Sequence, residues 1–522
     1  MADRIVVVGG GSMGAGIAAV AASSGYAVIL VEPHAEARER AAARAGSAQV
    51  VAEIPSDDGV EIAIEAVPER LDLKEHVFAQ MERSLPGAVL ATNTSSLSVA
   101  EIARATSAPE RVIGLHFFNP PEKMRLVEIV RAPQSADDAL ERGRAFVERI
   151  GKTGVATADT PGFIVNRVAR PFYLQAMRAL DAGVARVEEL DALARGAGFR
   201  MGPFELMDFI GLDVNLATSE SVYARLQAER LAPVALQRAL VAQGRLGRKS
   251  GAGFYSYAGP PPRLDLRTKP RVRRSEDEHA AVLGAGGLAD ELAAALDAHC
   301  APVTRFTHDE EVEHLDVQPT LLFDVGDGES DRGVAVARLD ALLDPACAIF
   351  VDAYATDLDR CAARMQHPDR LVGYGILGSL AEQDGVEIVD ADATSDEMLE
   401  LAQESFEAIG HGVVLVENVP GLFLGRTIGA IVNEAVIAVE EGVAVADDVD
   451  AAMRLGTNYP RGPIAWGREI GGHRISRILR RVAARDGAAF LPHRALWVLD
   501  VDEESAPAMP ANDASWLPNA EL

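Results

Sequence analysis

Residues 4–32 read RIVVVGGGSMGAGIAAVAASSGYAVILVE, which predicts a strand, a glycine turn, a helix and a second strand. The glycines follow the pattern Gly9-x-Gly11-x-x-Gly14. In such a turn the first glycine permits the tight bend, a Cβ on the second would block a pyrophosphate, and the third lets helix and strand touch. The free N–H groups at the helix start attract phosphate oxygens. The stretch therefore predicts a dinucleotide site.

Glu32 ends the second strand about twenty residues after the glycine turn, where dinucleotide-binding units carry an acidic residue. Its carboxylate can accept hydrogen bonds from the diol of an adenosine ribose. It would also repel a 2′-phosphate, so NAD is favoured over NADP.

Apolar runs of strand length recur through the first 160 residues and alternate with helical stretches, which is typical of a parallel sheet covered on both faces. These runs are 4–10, 27–32, 61–67, 88–93 and 111–117. From Pro161 to about Leu246 only helical periodicity remains. The first half is thus predicted to be an α/β Rossmann domain followed by an all-α domain.

The second half repeats the first. RLVGYGILGSLAEQDGVEIV at 370–389 aligns without a gap on RVIGLHFFNPPEKMRLVEIV at 111–130, an offset of 370 − 111 = 259. The same offset places PGLFLGR at 420–426 on PGFIVNR at 161–167, which indicates a tandem duplication. The second glycine turn, Gly284-x-Gly286-x-x-Ala289, has no clear acidic partner, so a decayed nucleotide site is predicted.

The predicted domain boundaries follow from this repeat. They are 1–158 for the NAD-binding Rossmann domain, 159–258 for the helical domain, 259–278 for a Pro- and Arg-rich linker, 279–411 for a degenerate Rossmann-like domain, 412–506 for the second helical domain and 507–522 for the tail.

Composition narrows the class of partner. The 522 residues carry 50 basic and 78 acidic side chains, a net charge of −28, which should repel nucleic acid and anionic membranes. No apolar run is long enough for a membrane span, and no signal peptide or metal site is expected. Three cysteines without a CxxC pair are typical of a reducing cytoplasm.

Three polar clusters follow predicted strands or begin the helical domain: NTSSLS at 93–98, GLHFFNPP at 114–121 and TPGFIVNR at 160–167. His116 ends a strand, and a returning strand would bring Glu128 beside it. A carboxylate against one imidazole nitrogen fixes the tautomer and raises the basicity of the ring, as a general base requires.

Together these motifs resemble the 3-hydroxyacyl-CoA dehydrogenase family. The matching stretches are GGGSMGAGI (9–17), IEAVPERLDLK (64–74), NTSSLS, GLHFFNPPEKMRLVEIV (114–130), TPGFIVNRV (160–168), GFRMGPFELMDFIGLDV (198–214) and GRKSGAGFY (247–255). They look most like the long, tail-duplicated branch that includes 3-hydroxybutyryl-CoA and 3-hydroxyadipyl-CoA dehydrogenases of phenylacetate and related catabolism.

The resemblance implies residue roles. His116 would be the base that removes the hydroxyl proton as hydride leaves C3 for NAD, and Glu128 would support it. Ser95 and Asn166 would hold the substrate oxygen. The resemblance further implies cofactor contacts from Glu69, Lys74, Asn119 and Lys249.

Two departures from the family pattern matter. Relatives place a long helical hairpin with CoA-binding residues between the positions of Glu32 and Glu65, and this chain is too short there, which leaves Arg38, Arg40 and Arg44 as substitute cations or as a solvated face. In the second copy Ser95 becomes Tyr354, His116 becomes Gly375 and Asn166 becomes Gly425, while Glu128 is kept as Glu387. The second half is therefore predicted to be inactive.

Two alternatives remain at this stage. The missing hairpin is consistent with a dehydrogenase that acts on a 3-hydroxy acid without CoA. The second alternative belongs to another functional class: a nucleotide-binding protein without catalytic turnover. The family's helical domains pair between two chains, and one chain here carries both. We therefore expect an intramolecular pseudo-dimer that is monomeric or weakly associated.

Overall fold

The computed structural model of the chain describes residues 3–271, 278–326 and 332–501. Its first sheet is built from β1 Arg4–Val8, β2 Ala27–Val31, β3 Gln49–Val51, β4 Val60–Glu65, β5 Val89–Thr92, β6 Val112–Phe117, β7 Leu126–Arg131 and β8 Thr153–Ala158. The strand order is β3-β2-β1-β4-β5-β6-β7-β8. All neighbours are parallel except β6 and β7, so the predicted Rossmann architecture is confirmed.

The helices of this domain cover both faces of the sheet, because the central strands are apolar on both sides. They are α1 Ser12–Ser23, α2 Ala35–Ala42, α3 Leu71–Ser84, α4 Val99–Ala103 and α5 Asp137–Arg149. The sequence patterns did not reveal β3 or β8. The first has three residues and the second reads TGVATA, so neither offers a long apolar run.

The first helical domain follows, as expected from the loss of strand patterns. It comprises α6 Val165–Val168, α7 Arg170–Asp181, α8 Val187–Gly196, α9 Pro203–Ile210, α10 Leu212–Leu226 and α11 Ala235–Ala242. Helix α7 is almost wholly buried.

The second half repeats this plan. Its sheet, in the order β10-β9-β11-β12-β13-β14-β15, contains β9 Ala280–Leu283, β10 Val303–Phe306, β11 Leu321–Asp324, β12 Ala348–Asp352, β13 Leu371–Gly375, β14 Gly385–Asp390 and β15 Gly412–Glu417. Its helices are α12 Gly287–His299, α13 Arg332–Leu342, α14 Leu358–Ala362 and α15 Asp396–Ala408, followed by α16 Leu424–Glu440, α17 Ala446–Thr457, α18 Pro463–Ile470 and α19 Gly472–Asp486.

The two copies are related by the offset read from the sequence. Strands β7 and β14 begin at Leu126 and Gly385, which are 385 − 126 = 259 residues apart. Strand β15 belongs to the second sheet, so the second Rossmann-like domain extends to Glu417 and not to 411 as the sequence suggested. The reason is that GVVLVE at 412–417 pairs in parallel with β14, just as β8 pairs with β7.

The predicted linker is partly packed. Leu266 packs closely on Gly385 and Gly412. Its backbone carbonyl accepts a hydrogen bond from the N–H of Gly412 at 2.7 Å. Residues 272–277 of the linker and all of the predicted tail, 507–522, lie outside the described residues. Over the described ranges, no helix is both long enough and apolar enough to cross a membrane.

The halves contact each other reciprocally. Helix α7 packs on α16, α17 packs on β7 and β8, and α8 packs on β14. The N–H of Ala158 donates to the carbonyl of Val443 at 2.8 Å, and the N–H of Glu417 donates to that of Val184 at 3.0 Å. Both pairs are related by the offset of 259, so the chain is folded as an intramolecular pseudo-dimer.

Candidate active site

The glycine turn between β1 and α1 has the shape a dinucleotide requires. Gly9 has φ +112°, and a Cβ there would lie 2.5 Å from the carbonyl oxygen of Ala66. A Cβ on Gly14 would lie 1.9 Å from the carbonyl oxygen of Gly9. A Cβ on Gly11 would meet nothing within 4 Å, so this side of the turn is open for a pyrophosphate. The residues present therefore fit the cofactor.

Glu32 stands at the end of β2, as predicted. Its two carboxylate oxygens accept hydrogen bonds from the N–H of Gly10 at 2.9 Å and from the N–H of His34 at 3.0 Å. The side chain is thereby fixed beside the glycine turn, where an adenosine ribose would bind.

His116 and Glu128 form the predicted pair. They lie directly opposite each other on the antiparallel strands β6 and β7, and Nδ1 of His116 is 2.6 Å from Oε2 of Glu128. The other carboxylate oxygen accepts from the N–H groups of Ile164 and Val165, at 3.0 and 2.9 Å. Glu128 thus joins the histidine to the first turn of the helical domain.

A cavity of about 480 Å³ lies between the first Rossmann domain and the helices. The predicted residues that line it are Glu69, Ser95, His116, Asn119 and Asn166. The amide nitrogen of Asn166 donates to the backbone carbonyl of Ser95 at 3.4 Å. The structure therefore brings all four predicted catalytic residues to one place, with Glu128 behind His116.

Glu69 and Lys74 organise the loop that carries Ser95. Burial raises the pKa of Glu69, but the charge of Lys74 and hydrogen bonds from Thr94, Ser95 and Ser96 outweigh it and hold the pKa at about 2. Glu69 accepts from the N–H of Ser95 at 3.0 Å. Lys74 is buried, with Nζ 2.7 Å from Oε1 of Glu65 and 3.2 Å from Oε2 of Glu69. Lys74 therefore lies beneath the cavity wall.

Lys249 lies apart from the other predicted cofactor residues. It sits in a short 3-10 helix, Arg248–Ser250, and its Nζ is 2.5 Å from Oδ1 of Asp213. It is not among the residues that line the cavity. A cofactor contact from Lys249 remains a prediction.

Sequence reasoning missed part of the cavity wall. Arg170, Tyr173 and Asn215 come from the first helical domain, and Gly456 and Thr457 come from α17 of the second copy. Arg170 follows Asn166 by four residues, so the helical spacing was a usable signal. No local pattern could assign Gly456 or Thr457 to this cavity, because only the docking of the second copy brings them there.

The corresponding place in the second copy is filled by Tyr354. Its hydroxyl donates to Glu387 at 2.6 Å, where His116 contacts Glu128 in the first copy. A Cβ on Gly375 or Gly425 would come within 2.7 or 2.6 Å of the Tyr354 ring. Burial raises the pKa of Glu387 to about 7. The hydrogen bonds that Glu387 accepts from Tyr354 and from backbone N–H groups lower this pKa, but they do not outweigh the burial.

In the second glycine turn Gly284 keeps the positive φ of Gly9, but Gly286 has φ +92° where Gly11 has φ −65°, so the backbone of the turn differs between the copies. The strand that follows, β10, ends at Phe306, and the next residue is Thr307 in place of an acid.

In the short segment 33–64, Arg38 donates to the backbone carbonyls of Glu32 and Pro33 at 2.9 and 3.0 Å. In the described part of the chain, no cluster of three or more His, Cys, Asp or Glu residues could hold a metal ion.

Comparison with known proteins matches both domain types. Residues 4–160 match the 3-hydroxyacyl-CoA dehydrogenase NAD binding domain, and residues 162–257 and 421–503 match the C-terminal domain of the same family. The chain is 37% identical over 505 residues to the 3-hydroxyadipyl-CoA dehydrogenase of Escherichia coli (strain K12), covering 92% of this chain and 93% of the relative.

Two further relatives agree. The mitochondrial hydroxyacyl-coenzyme A dehydrogenase of Sus scrofa is 35% identical over 288 residues, covering 49% of this chain and 92% of the relative. A crystal structure of 3-hydroxybutyryl-CoA dehydrogenase from Escherichia coli K12 superimposes with a TM-score of 0.74 at 32% identity, covering 95% of this chain and 98% of that one. The chain therefore belongs to the 3-hydroxyacyl-CoA dehydrogenase family and is an NAD-dependent dehydrogenase of 3-hydroxyacyl-CoA substrates.

Proposed function

We propose that the chain has one active site, in its first half, and that His116 is the base that takes the hydroxyl proton when an L-3-hydroxyacyl-CoA is oxidised there. The observation that carries this assignment is the His116–Glu128 pair at the wall of a cavity that also holds Ser95 and Asn166. The second copy contains none of these residues except the glutamate, as Glu387.

The geometry supports a separate task for each of these groups. With Nδ1 of His116 held by Glu128, the Nε2 lone pair is available for the proton of the C3 hydroxyl. The hydroxyl of Ser95 and the amide of Asn166 can donate to the same oxygen as it becomes a carbonyl. NAD, bound at the glycine turn, supplies the acceptor for the hydride that leaves C3.

Glu128 also positions the substrate-binding helix. Its second oxygen accepts from the N–H groups of Ile164 and Val165, and Asn166 follows directly. The carboxylate stabilises an imidazolium on one side and fixes the start of α6 on the other. One carboxylate thus holds both the base, His116, and the start of the helix that carries Asn166.

We also propose that the second half replaces the partner subunit of a two-chain dimer. It supplies Gly456 and Thr457 to the cavity and covers α7 with α16. One chain then needs no second chain to complete its site.

A reduction assay tests the function. The purified chain is given NADH with 3-oxobutyryl-CoA, 3-oxohexanoyl-CoA, 3-oxoadipyl-CoA and the corresponding free 3-oxo acids, and loss of NADH absorbance is followed. Turnover of CoA esters supports the proposal, whereas turnover of free acids alone supports the non-CoA alternative. Binding of NADH without any turnover would support the non-catalytic alternative.

His116→Ala should lower kcat by about 10²–10⁴-fold, since that is the contribution of a positioned general base. NADH affinity, measured by fluorescence titration, should stay near the wild-type value because His116 lies outside the glycine turn. Retention of wild-type kcat would refute the base assignment.

A further inference from the structure

Among the described residues that line the active-site cavity, Arg170 is the one arginine. It is the first residue of α7 and only 5% exposed. Its Nε donates to the backbone carbonyl of Asn166 at 2.9 Å, which folds the guanidinium back toward the residue proposed to hold the substrate oxygen. Arg170 therefore lies close to the reacting centre and belongs to the inner wall.

The partners of Arg170 are all uncharged. Nη1 contacts the carbonyl of Asn215 at 3.4 Å and the hydroxyl of Ser219 at 3.2 Å, and the guanidinium lies 4.9 Å from the centre of the Tyr173 ring. Among the residues that the structure describes, no carboxylate forms an ion pair with it. Burial lowers the pKa of Arg170, in keeping with a cation held without a counter-charge.

Two neighbouring buried arginines, Arg167 and Arg426, have carboxylate partners. Arg167 is 2.7 Å from carboxylate oxygens of both Glu434 and Glu441, and Arg426 pairs with Asp486. An unpaired buried charge costs several kcal/mol of desolvation, which a carboxylate partner offsets.

Arg178, on the same helix as Arg170, also has no carboxylate partner among the described residues, but it contacts the Ala232 carbonyl and the Phe490 ring away from the cavity. Arg170 combines the lack of an internal anion with a place in the cavity wall, so its anion is expected on a ligand.

The substrate limits what that anion is. The CoA moiety is too large for the cavity and must extend toward solvent, so the far end of the acyl chain points inward. Gly456 of the second copy also lines the cavity, and the side chains of Leu126 and Val165 lie close to it. An anion that reaches Arg170 from inside the cavity therefore sits at the end of the acyl chain.

We propose that Arg170 binds the terminal carboxylate of a short dicarboxylic 3-hydroxyacyl-CoA, and so selects this class over monocarboxylic substrates of the same length. Side chains one helical turn apart, as Asn166 and Arg170 are, lie about 5–6 Å from each other. Both side chains line the same cavity, so a carboxylate a few carbon–carbon bonds beyond C3, as in a six-carbon chain, can meet Arg170 while Asn166 holds the C3 oxygen. The inference rests on the proposed active site and adds its acyl specificity.

The test compares two substrates that differ only in the terminal group. NADH-dependent kcat/KM is measured for 3-oxoadipyl-CoA and 3-oxohexanoyl-CoA. The wild-type chain should prefer the dicarboxylic ester by about 10- to 100-fold, which is the value of a hydrogen bond to a charged group. Arg170→Met should reduce the ratio toward one, and Arg170→Lys should keep part of it because the charge remains.

Arg178→Met is the matched control, since Arg178 lies on the same helix but is not in the cavity wall. It should leave the substrate ratio unchanged. A wild-type ratio near one overturns the assignment of Arg170 while the dehydrogenase function stands, and this result needs no variant to fold. An unchanged ratio in Arg170→Met overturns it too. Failure of both CoA esters to react would refute the proposed function itself.

Discussion

Glu128 and Glu387 are equivalent residues in the two copies, and their partners explain why the copies differ. Glu128 holds His116 next to a cavity, whereas Glu387 holds the Tyr354 hydroxyl inside a packed core. A tyrosine in place of Ser95 fits only because both glycines, Gly375 and Gly425, leave room for its ring. The three replacements therefore act together: they convert a reactive cavity into apolar packing around one retained carboxylate.

Cofactor choice is also decided by single residues. Glu32→Ser removes the charge that would repel a 2′-phosphate, so the preference for NAD over NADP should narrow. The kcat/KM values for the two cofactors measure this, and Glu36→Ser on the exposed start of α2 is the control. A wild-type preference for NADP would contradict the role of Glu32.

Lys74 should contribute more to stability than to cofactor binding. Lys74→Met leaves the buried Glu65 carboxylate without its cation, and breaking such a pair costs about 3–5 kcal/mol. Urea unfolding should show this loss, and adding Glu65→Gln should recover part of it. Arg70→Met, at an exposed pair with Asp72, should cost less than about 1 kcal/mol. An equal effect of both substitutions would show that the buried pair is not special.

At the scale of elements, α7 and α16 form the centre of the contact between halves. Two contacts related by the offset join them: Arg167, in α6 just before α7, pairs with Glu434 of α16, and Arg426 of α16 donates to Gln175 of α7 at 3.2 Å. In the first contact the arginine meets a carboxylate, and in the second it meets an uncharged amide. A homodimer would need identical contacts on both sides of its axis, so this difference requires two unlike copies, which one chain supplies here.

Arg167→Met should destabilise the chain by about 3–5 kcal/mol because Glu434 is buried and, among the described residues, would keep only Arg230 as an ion-pair partner. Thermal unfolding should show a lower Tm. The control is Arg238→Met, which breaks a half-exposed pair with Glu220 and should cost less than about 1 kcal/mol. A loss no larger than that of the control would show that the ionic contact does not hold the halves together.

At the scale of the whole molecule, the second copy is expected to act as a structural partner. Equilibrium titration should give about one NADH per chain, because the second glycine turn lacks an acidic residue after β10. The chain should be monomeric in sedimentation, or associate through another surface. Two bound cofactors per chain would contradict this.

A fragment ending at Gly259 should be unstable, aggregated or self-dimerising. It would lose α16, which covers α7, and the two residues of α17 that line the cavity. Joining both halves in one chain keeps this contact at high effective concentration. A fragment that remains monomeric and fully active would refute the structural role of the second half.

The sequence alone determined the Rossmann unit, the duplication, the His116–Glu128 pair and the loss of the second site. These features depend on local rules, namely glycine spacing, strand periodicity and a repeat at constant offset. Adjacent antiparallel strands bring His116 and Glu128 together without help from distant parts of the chain. The order of the strands and the spacing of the two residues are therefore enough to predict a carboxylate opposite the histidine.

Only the tertiary structure decided which residues of the second copy line the cavity and that Lys74 is buried. It also decided that Arg170 has no carboxylate partner among the described residues and that the Tyr354 ring fills the equivalent place in the second copy. Each depends on which atoms meet across segments far apart in the chain, such as Gly456 against Val165. Contacts of this kind follow from the packing of whole domains, so no local pattern encodes them. Whether a buried charge has a partner is likewise a property of the assembled fold.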